Sequence, residues 1–165
     1  TSLHFAIATV NADGTAPVTP IGSLILGTPG EGYFFEVFAD RICANLDRGS
    51  SVSVLGVVSS SSLWLRALLS GRFKSPPAFR LIGVAGARRA STEAERIRWQ
   101  RKGRLFRFLK GYKGLWGNLG TVRELHFHAL EPVRLGAMTS RFDGVSAAGL
   151  RKPATAARST AYDRL

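Results

Sequence analysis

His126 and His128 stand two residues apart in an alternating stretch, so both imidazoles project from one face of a strand, where they could share a metal ion. A third ligand would have to come from His4 or an acid, and no local carboxylate cluster supplies one. The pair is therefore expected to hold no metal and to lie on a polar exterior or a subunit contact. Cys43, the only cysteine, sits on the apolar stripe of a short helical segment and reads as a small buried hydrophobe rather than a reactive thiolate. Ser59-Ser60-Ser61-Ser62 has no neighbouring base and reads as a linker. The glycines form neither G-x-G-x-x-G after a strand nor a Walker A loop, which argues against Rossmann and P-loop sites. Trp64, Trp99 and Trp116 suit core or interface anchoring, although a cofactor ring could stack on one of them. No acid–base dyad stands out, so no catalytic residue is assigned.

The bulk composition narrows the partners. A chain of 165 residues with 45% hydrophobic and 21% charged residues has the size and balance of one globular domain. No apolar run reaches the ~18–20 residues of a membrane-spanning helix, and no membrane partner is expected. The chain opens at Thr1 rather than Met, which is compatible with the loss of a short leader, and nothing resembles a secretory signal. A single cysteine fits a reducing cytoplasm. The net charge of +12 points to anionic partners: nucleic acid, membrane headgroups or phosphorylated small molecules. Ten Arg and Lys residues lie between Arg88 and Lys113, against only Glu93 and Glu95. At 100° per residue they point nearly all round a helix, which reads as a solvated basic surface more than a nucleic-acid stripe.

Short strands joined by tight turns must position these residues. His4–Val10 reads as a strand, followed by the turn Asn11-Ala12-Asp13-Gly14. Ala16–Leu26 is extended, and Pro17 and Pro20 mark it as an edge or bulged strand. After the turn residues Gly27–Gly32, the aromatic-rich Tyr33–Phe38 reads as a strand. Ala39, Ile42, Cys43 and Leu46 then fall at helical spacing, so Asp40–Arg48 is expected to be a helix capped by Asp40 and ended by Gly49. Ser51–Val58 and Phe79–Ala87 are strands separated by an insertion over 59–77, with a helix at Leu63–Leu69 packed over one end of a barrel. Ser91–Glu95 carries helix-start chemistry, and a helix through Trp99, interrupted near Gly103, with a second piece at Leu105–Leu109, covers about 92–110. Thr121–Leu130 alternates, and Val133–Met138 is read as a last short strand. The expected organisation is one mainly β domain over 1–139 and a tail over 140–165.

One resemblance runs through this order. Ala8-Thr9-Val10-Asn11-Ala12-Asp13-Gly14, Pro17–Ser23, Gly32-Tyr33-Phe34-Phe35, Arg41, Asn45-Leu46 and Val52-Ser53-Val54-Leu55 follow at close spacing, and the later strands extend the likeness over about Leu3–Met138. This pattern resembles the pyridoxamine 5′-phosphate oxidase-like family of FMN-binding split barrels. The resemblance implies a six-stranded antiparallel barrel of Greek-key type and a homodimer with FMN at the subunit interface. It also implies that Thr19, Pro20, Ile21, Gly22 and Ser23 on the second strand, Phe35 and Glu36 on the third, and Arg41 in the following turn line the cofactor. Arg41 would pair with the phosphate, with Thr19 and Ser23 as hydroxyl donors and Trp64 or Trp116 closing the pocket. Glu36, Asp40 and Ile42 depart from the Thr, Ser and Lys frequent in that family, which leaves Arg41 as the matched cation. The Arg-x-His element that true pyridoxamine phosphate oxidases use for substrate is missing, so vitamin B6 oxidation is not expected.

The resemblance thus implies an FMN-dependent oxidoreductase acting on a small molecule. The alternatives are a non-catalytic protein that binds flavin, deazaflavin or haem, or a basic dimer that binds nucleic acid.

Overall fold

The computed structural model of the chain describes residues 2–102 and 119–143. The expected helical piece at Leu105–Leu109, Trp116 and most of the tail lie outside the described residues. Seven strands, rather than the expected six, form one antiparallel sheet: β1 (Ser2–Thr9), β2 (Val18–Pro20), β3 (Ile25–Leu26), β4 (Glu31–Phe35), β5 (Ser51–Ser59), β6 (Ala78–Ala90) and β7 (Thr121–Pro132), in the order β2-β1-β5-β6-β7-β4-β3. Among the described residues three α-helices interrupt them: α1 (Asp40–Asp47), α2 (Ser61–Ser70) and α3 (Glu93–Lys102).

The extra strand comes from the extended stretch Ala16–Leu26, which breaks in two. β2 pairs with β1 at one end of the sheet, and β3 pairs with β4 at the other. Only Ile21, Gly22, Ser23 and Leu24 connect them. Five Cα steps from Pro20 to Ile25 reach at most roughly 19 Å, so the sheet must curl until its two ends nearly meet. Two hydrogen bonds fix the crossing: Ile21 N–H donates to the Phe5 carbonyl at 2.9 Å, and the Ser23 hydroxyl donates to the Phe35 carbonyl at 3.1 Å. The result is a barrel split along one seam, with four residues bridging the split.

The core lies inside this curl. Ile7, Val52, Val54, Leu81, Leu125 and Phe127 come from alternating inward positions of β1, β5, β6 and β7, and Ile21 and Leu24 join them from the crossing. One face of α1 closes the barrel with Ala39, Ile42, Cys43 and Leu46, as their helical spacing requires. Asp40 does not cap that helix. Ala39 is the N-cap residue and makes no side-chain cap bond, while Asp40 is the first helical residue and is exposed. At the other end Gly49 adopts φ +82, a left-handed conformation suited to glycine, and the helix stops there. Asn45, almost fully buried, donates to the Thr9 hydroxyl and the Asn11 side chain, both at 2.8 Å, and so fastens α1 to the end of β1.

Other expectations need correction. The strand read as Tyr33–Phe38 ends at Phe35, and Phe38 turns into the left-handed region with φ 54 and stands exposed. Ser59–Ser62 is no loose linker: Ser59 ends β5, Ser60 caps α2 by accepting from Leu63 N–H, and Ser61 begins the helix. Val133–Met138 is not a strand. Gly136 takes φ 56, and a 3₁₀ segment runs over Gly136–Phe142. There the Thr139 hydroxyl accepts from Leu135 N–H, which offers the backbone a local partner in place of a sheet neighbour.

The start of α3 behaves as its sequence implies. Thr92 accepts from Glu95 N–H, and the Glu95 carboxylate accepts from Thr92 N–H at 2.8 Å, a reciprocal capping box. Arg89 on β6 then grips Glu95 with two bonds, at 2.7 and 3.0 Å, and Glu124 on β7 with a third. The Arg89 bonds, with those from Thr92, push the Glu95 pKa down to about 2. A depressed carboxylate adds stability that is complete above its unfolded value near 4.5 and is lost as pH falls toward 2. Circular dichroism across that window should show acid loss of structure in the wild type and a flatter profile in Glu95→Gln. Superimposable profiles would remove Glu95 from the acid response.

Candidate active site

The crossing segment Ile21–Leu24 lies between two cavities that share Pro20, Ile21 and Gly22. The smaller, about 170 Å³, is lined by Thr19, Pro20, Ile21, Gly22, Ser23, Phe35, Val37, Phe38, Ala39 and Ile42. Six of the residues expected to line a cofactor therefore converge on one space. Phe38 borders it with 74% of its surface exposed, on a backbone conformation that a bulky residue rarely adopts. Such strain is characteristic of binding sites. Ser23 is buried, and its hydroxyl proton is committed to the Phe35 carbonyl, so it positions the segment rather than donating to a ligand.

The larger cavity, about 560 Å³, opens on the other side. Its walls are Phe5, Leu24, Ile25, Leu26 and Trp99 beside the shared residues, with His4 and Arg98 as its ionisable groups. That volume lies within the ~300–1,000 Å³ usual for small-molecule sites, and an apolar wall with few polar groups is their usual chemistry. α3 delivers both Arg98 and Trp99. The grip of Arg89 on Glu95 and the bond from Arg96 to the Ser91 carbonyl anchor its first turn, and the Trp99 ring packs 6.1 Å from Phe35. Among the described residues, Trp99 and not Trp64 is thus the tryptophan at this site. Trp64 packs edge-on against Phe73, which lines neither cavity.

Two residues named in sequence lie apart from both cavities. Glu36 is largely buried in a ring of charges: Arg88 bonds it at 2.7 Å and Arg123 at 2.9 Å, and both arginines also pair with Asp47. Burial would lower the Arg123 pKa, but the bonds to Glu36 and Asp47 outweigh it and raise it. Glu36 therefore ties β4 to α1, β6 and β7. Arg41 is exposed on α1, within electrostatic reach of Asp13.

Burial pushes the Cys43 thiol up to about 11, too high for a thiolate at neutral pH. His126 lies against Gly86, where a Cβ would stand 2.4 Å from Nε2, and His128 is exposed. Among the described residues, no three His, Cys, Asp or Glu side chains converge on a common point.

No family model and no curated protein matches the chain. Solved structures do. An FMN-binding protein from Syntrophomonas wolfei superposes with a TM-score of 0.55 at 16% identity, over 79% of this chain and 77% of that one. A variant of HupZ from Group A Streptococcus gives 0.50 at 13% identity, over 78% and 88%. The chain is a split barrel. A protein from Clostridium acetobutylicum related to general stress protein 26, of the pyridoxinephosphate oxidase family, matches at 10% identity over 79% and 78%, with a TM-score of 0.49. The likeness read from Ala8–Gly14 onward is thus a likeness of fold. Phe5 and Arg98 carry no local signal of a site, and His4 none of this one, because only the curl of the sheet brings β1 and α3 to the crossing.

Proposed function

We propose that this split barrel binds FMN at the Pro20–Gly22 crossing and serves as a flavin-dependent oxidoreductase for a small substrate. The observation that carries the reading is the pair of cavities flanking that crossing, one with an aromatic and aliphatic wall and a cation, Arg98, at its edge. A flat apolar ring with an anionic end fits such a wall, and the named FMN-binding neighbour supports the choice of ligand. A bound flavin would carry the hydride, while the chain binds and orients it. Phe5, Ile21 and Trp99 would exclude water from the ring, the Pro20–Gly22 backbone would approach its edge, and Arg98 would hold the phosphate. The reading extends to a homodimer with the two sites at the interface, in a reducing cytoplasm suited to the free Cys43.

Arg98 rather than Arg41 is assigned the phosphate because, of the two, Arg98 alone borders a cavity at the crossing. A charge-assisted hydrogen bond contributes roughly 1.5–3 kcal/mol. Arg98→Ala should therefore weaken FMN binding about 10- to 150-fold, at 1.4 kcal/mol per factor of ten. Riboflavin, which has no phosphate, should bind both proteins alike. Fluorescence titration of both ligands into wild type, Arg98→Ala and Arg41→Ala decides between the arginines. A loss confined to Arg41→Ala would move the phosphate to α1.

A further inference from the structure

The helix α2 is built the wrong way out for a surface helix. An ordinary one turns its apolar stripe to the core and its charges to water. In α2 only Ala67 is buried, while Trp64, Leu65, Leu68 and Leu69 are 40, 59, 70 and 80% exposed. At 100° per residue these four side chains fall within an arc of about 140° on the outward side. Adjacent apolar groups left in water in this way mark a docking surface.

The charges around the arc indicate the partner. Arg66 borders it, and Arg72 and Lys74 follow directly after the helix. Arg72 and Arg141 line one further cavity beside Gly71 and Met138, and Phe73 N–H donates to the Met138 carbonyl to hold the two segments together. No Asp or Glu occurs between Asp47 and Glu93. A second copy of the chain is disfavoured as the occupant, because a two-fold contact through this face would bring together the Arg66, Arg72 and Lys74 of both copies with no acid from this stretch to answer them. Nucleic acid would satisfy the cations but leave aliphatic Leu65, Leu68 and Leu69 without partners.

We propose that the outward face of α2 docks the protein peripherally on an anionic lipid bilayer, with Trp64, Leu65, Leu68 and Leu69 entering the interface and Arg66, Arg72, Lys74 and Arg141 meeting the headgroups. Leucine and tryptophan on one face with arginine and lysine beside it is the chemistry of helices that lie in a membrane surface. This is association, not spanning: no described helix is long and apolar enough to cross a bilayer. From the sequence no membrane partner is expected, an expectation that rests on the lack of a spanning run. The outward orientation of α2 appears once the fold is known.

The test is flotation of the full chain with vesicles of phosphatidylcholine, alone or mixed with phosphatidylglycerol. The wild type should float only with the mixed vesicles and should detach as salt rises, since charge attraction is screened within about 10 Å at 0.1 M. Leu68→Ser with Leu69→Ser keeps every charge and changes only exposed positions, so its melting temperature should be unchanged. Its vesicle affinity should fall at least tenfold. No flotation of the wild type, or equal flotation of a folded double variant, overturns the proposal. So does a double variant that loses a dimer present in the wild type, since that assigns the face to a second copy.

Discussion

Arg123→Ala is expected to cost the protein about 3–5 kcal/mol of stability, the usual loss when one member of a buried ion pair is removed. Only 7% of the Arg123 side chain and 7% of the Glu36 side chain are exposed, so their 2.9 Å bond is nearly shielded from water. Without Arg123, Glu36 keeps Arg88, a partner whose side chain is 46% exposed and therefore weaker. The Glu36 carboxylate would remain buried with half its compensation gone. Arg88→Ala should consequently cost clearly less, because Arg123 still answers Glu36. Urea denaturation of the two variants gives the comparison. Equal losses would mean that the buried and exposed arms of the ring count alike. The double variant Arg123→Met with Glu36→Gln should recover much of the loss, since it leaves no charge unpaired between them.

Gly83→Ala should be nearly as damaging, at about 3 kcal/mol, the upper end for overpacking. A Cβ at this position would stand 2.1 Å from the His126 carbonyl oxygen and 2.9 Å from the Phe127 Cα. Both are backbone atoms of the paired strand, so no side chain can swing aside. The pairing of β6 with β7 shifts register between Ile82 and Gly83, and that bulge depends on the close approach. The damage would spread toward the site, because β6 and β7 carry Arg89 and Glu124, which seat α3 and with it Arg98 and Trp99. Gly14→Ala is a fit comparison: φ is +84 there but nothing lies within 4 Å, so the cost is strain alone, about 1–2 kcal/mol. Thermal melts that ranked Gly14→Ala as the worse variant would contradict the bulge geometry.

What could be read from the sequence was local. The Thr92–Glu95 capping box, the Asp13-Gly14 turn and the apolar stripe Ala39-Ile42-Cys43-Leu46 involve residues within a few positions of each other, and each forms as its spacing implies. The run Thr19–Ser23 with Phe35 also converges on one cavity, because the crossing is short and its ends are fixed by β2 and β3. The break in Ala16–Leu26 was hidden, since Ile21, Leu24 and Ile25 continue an apolar pattern through it and only the sheet order shows that the pattern changes edges. Glu36 was misleading for a related reason. Its partners Arg88 and Arg123 lie 52 and 87 residues away, a distance no local pattern spans. Arg98 went unnoticed among cations that point nearly all round their helix; its sequence neighbour Trp99 was the only available hint.

The visible absorption spectrum of the protein, purified without added cofactor and then with FMN supplied, tests the flavin site most directly. Flavin bands that co-elute with the protein at one FMN per chain, shifted from those of free FMN and diminished in Arg98→Ala, are the expected result. A protein that stays colourless after FMN is added and separated from the excess would contradict it.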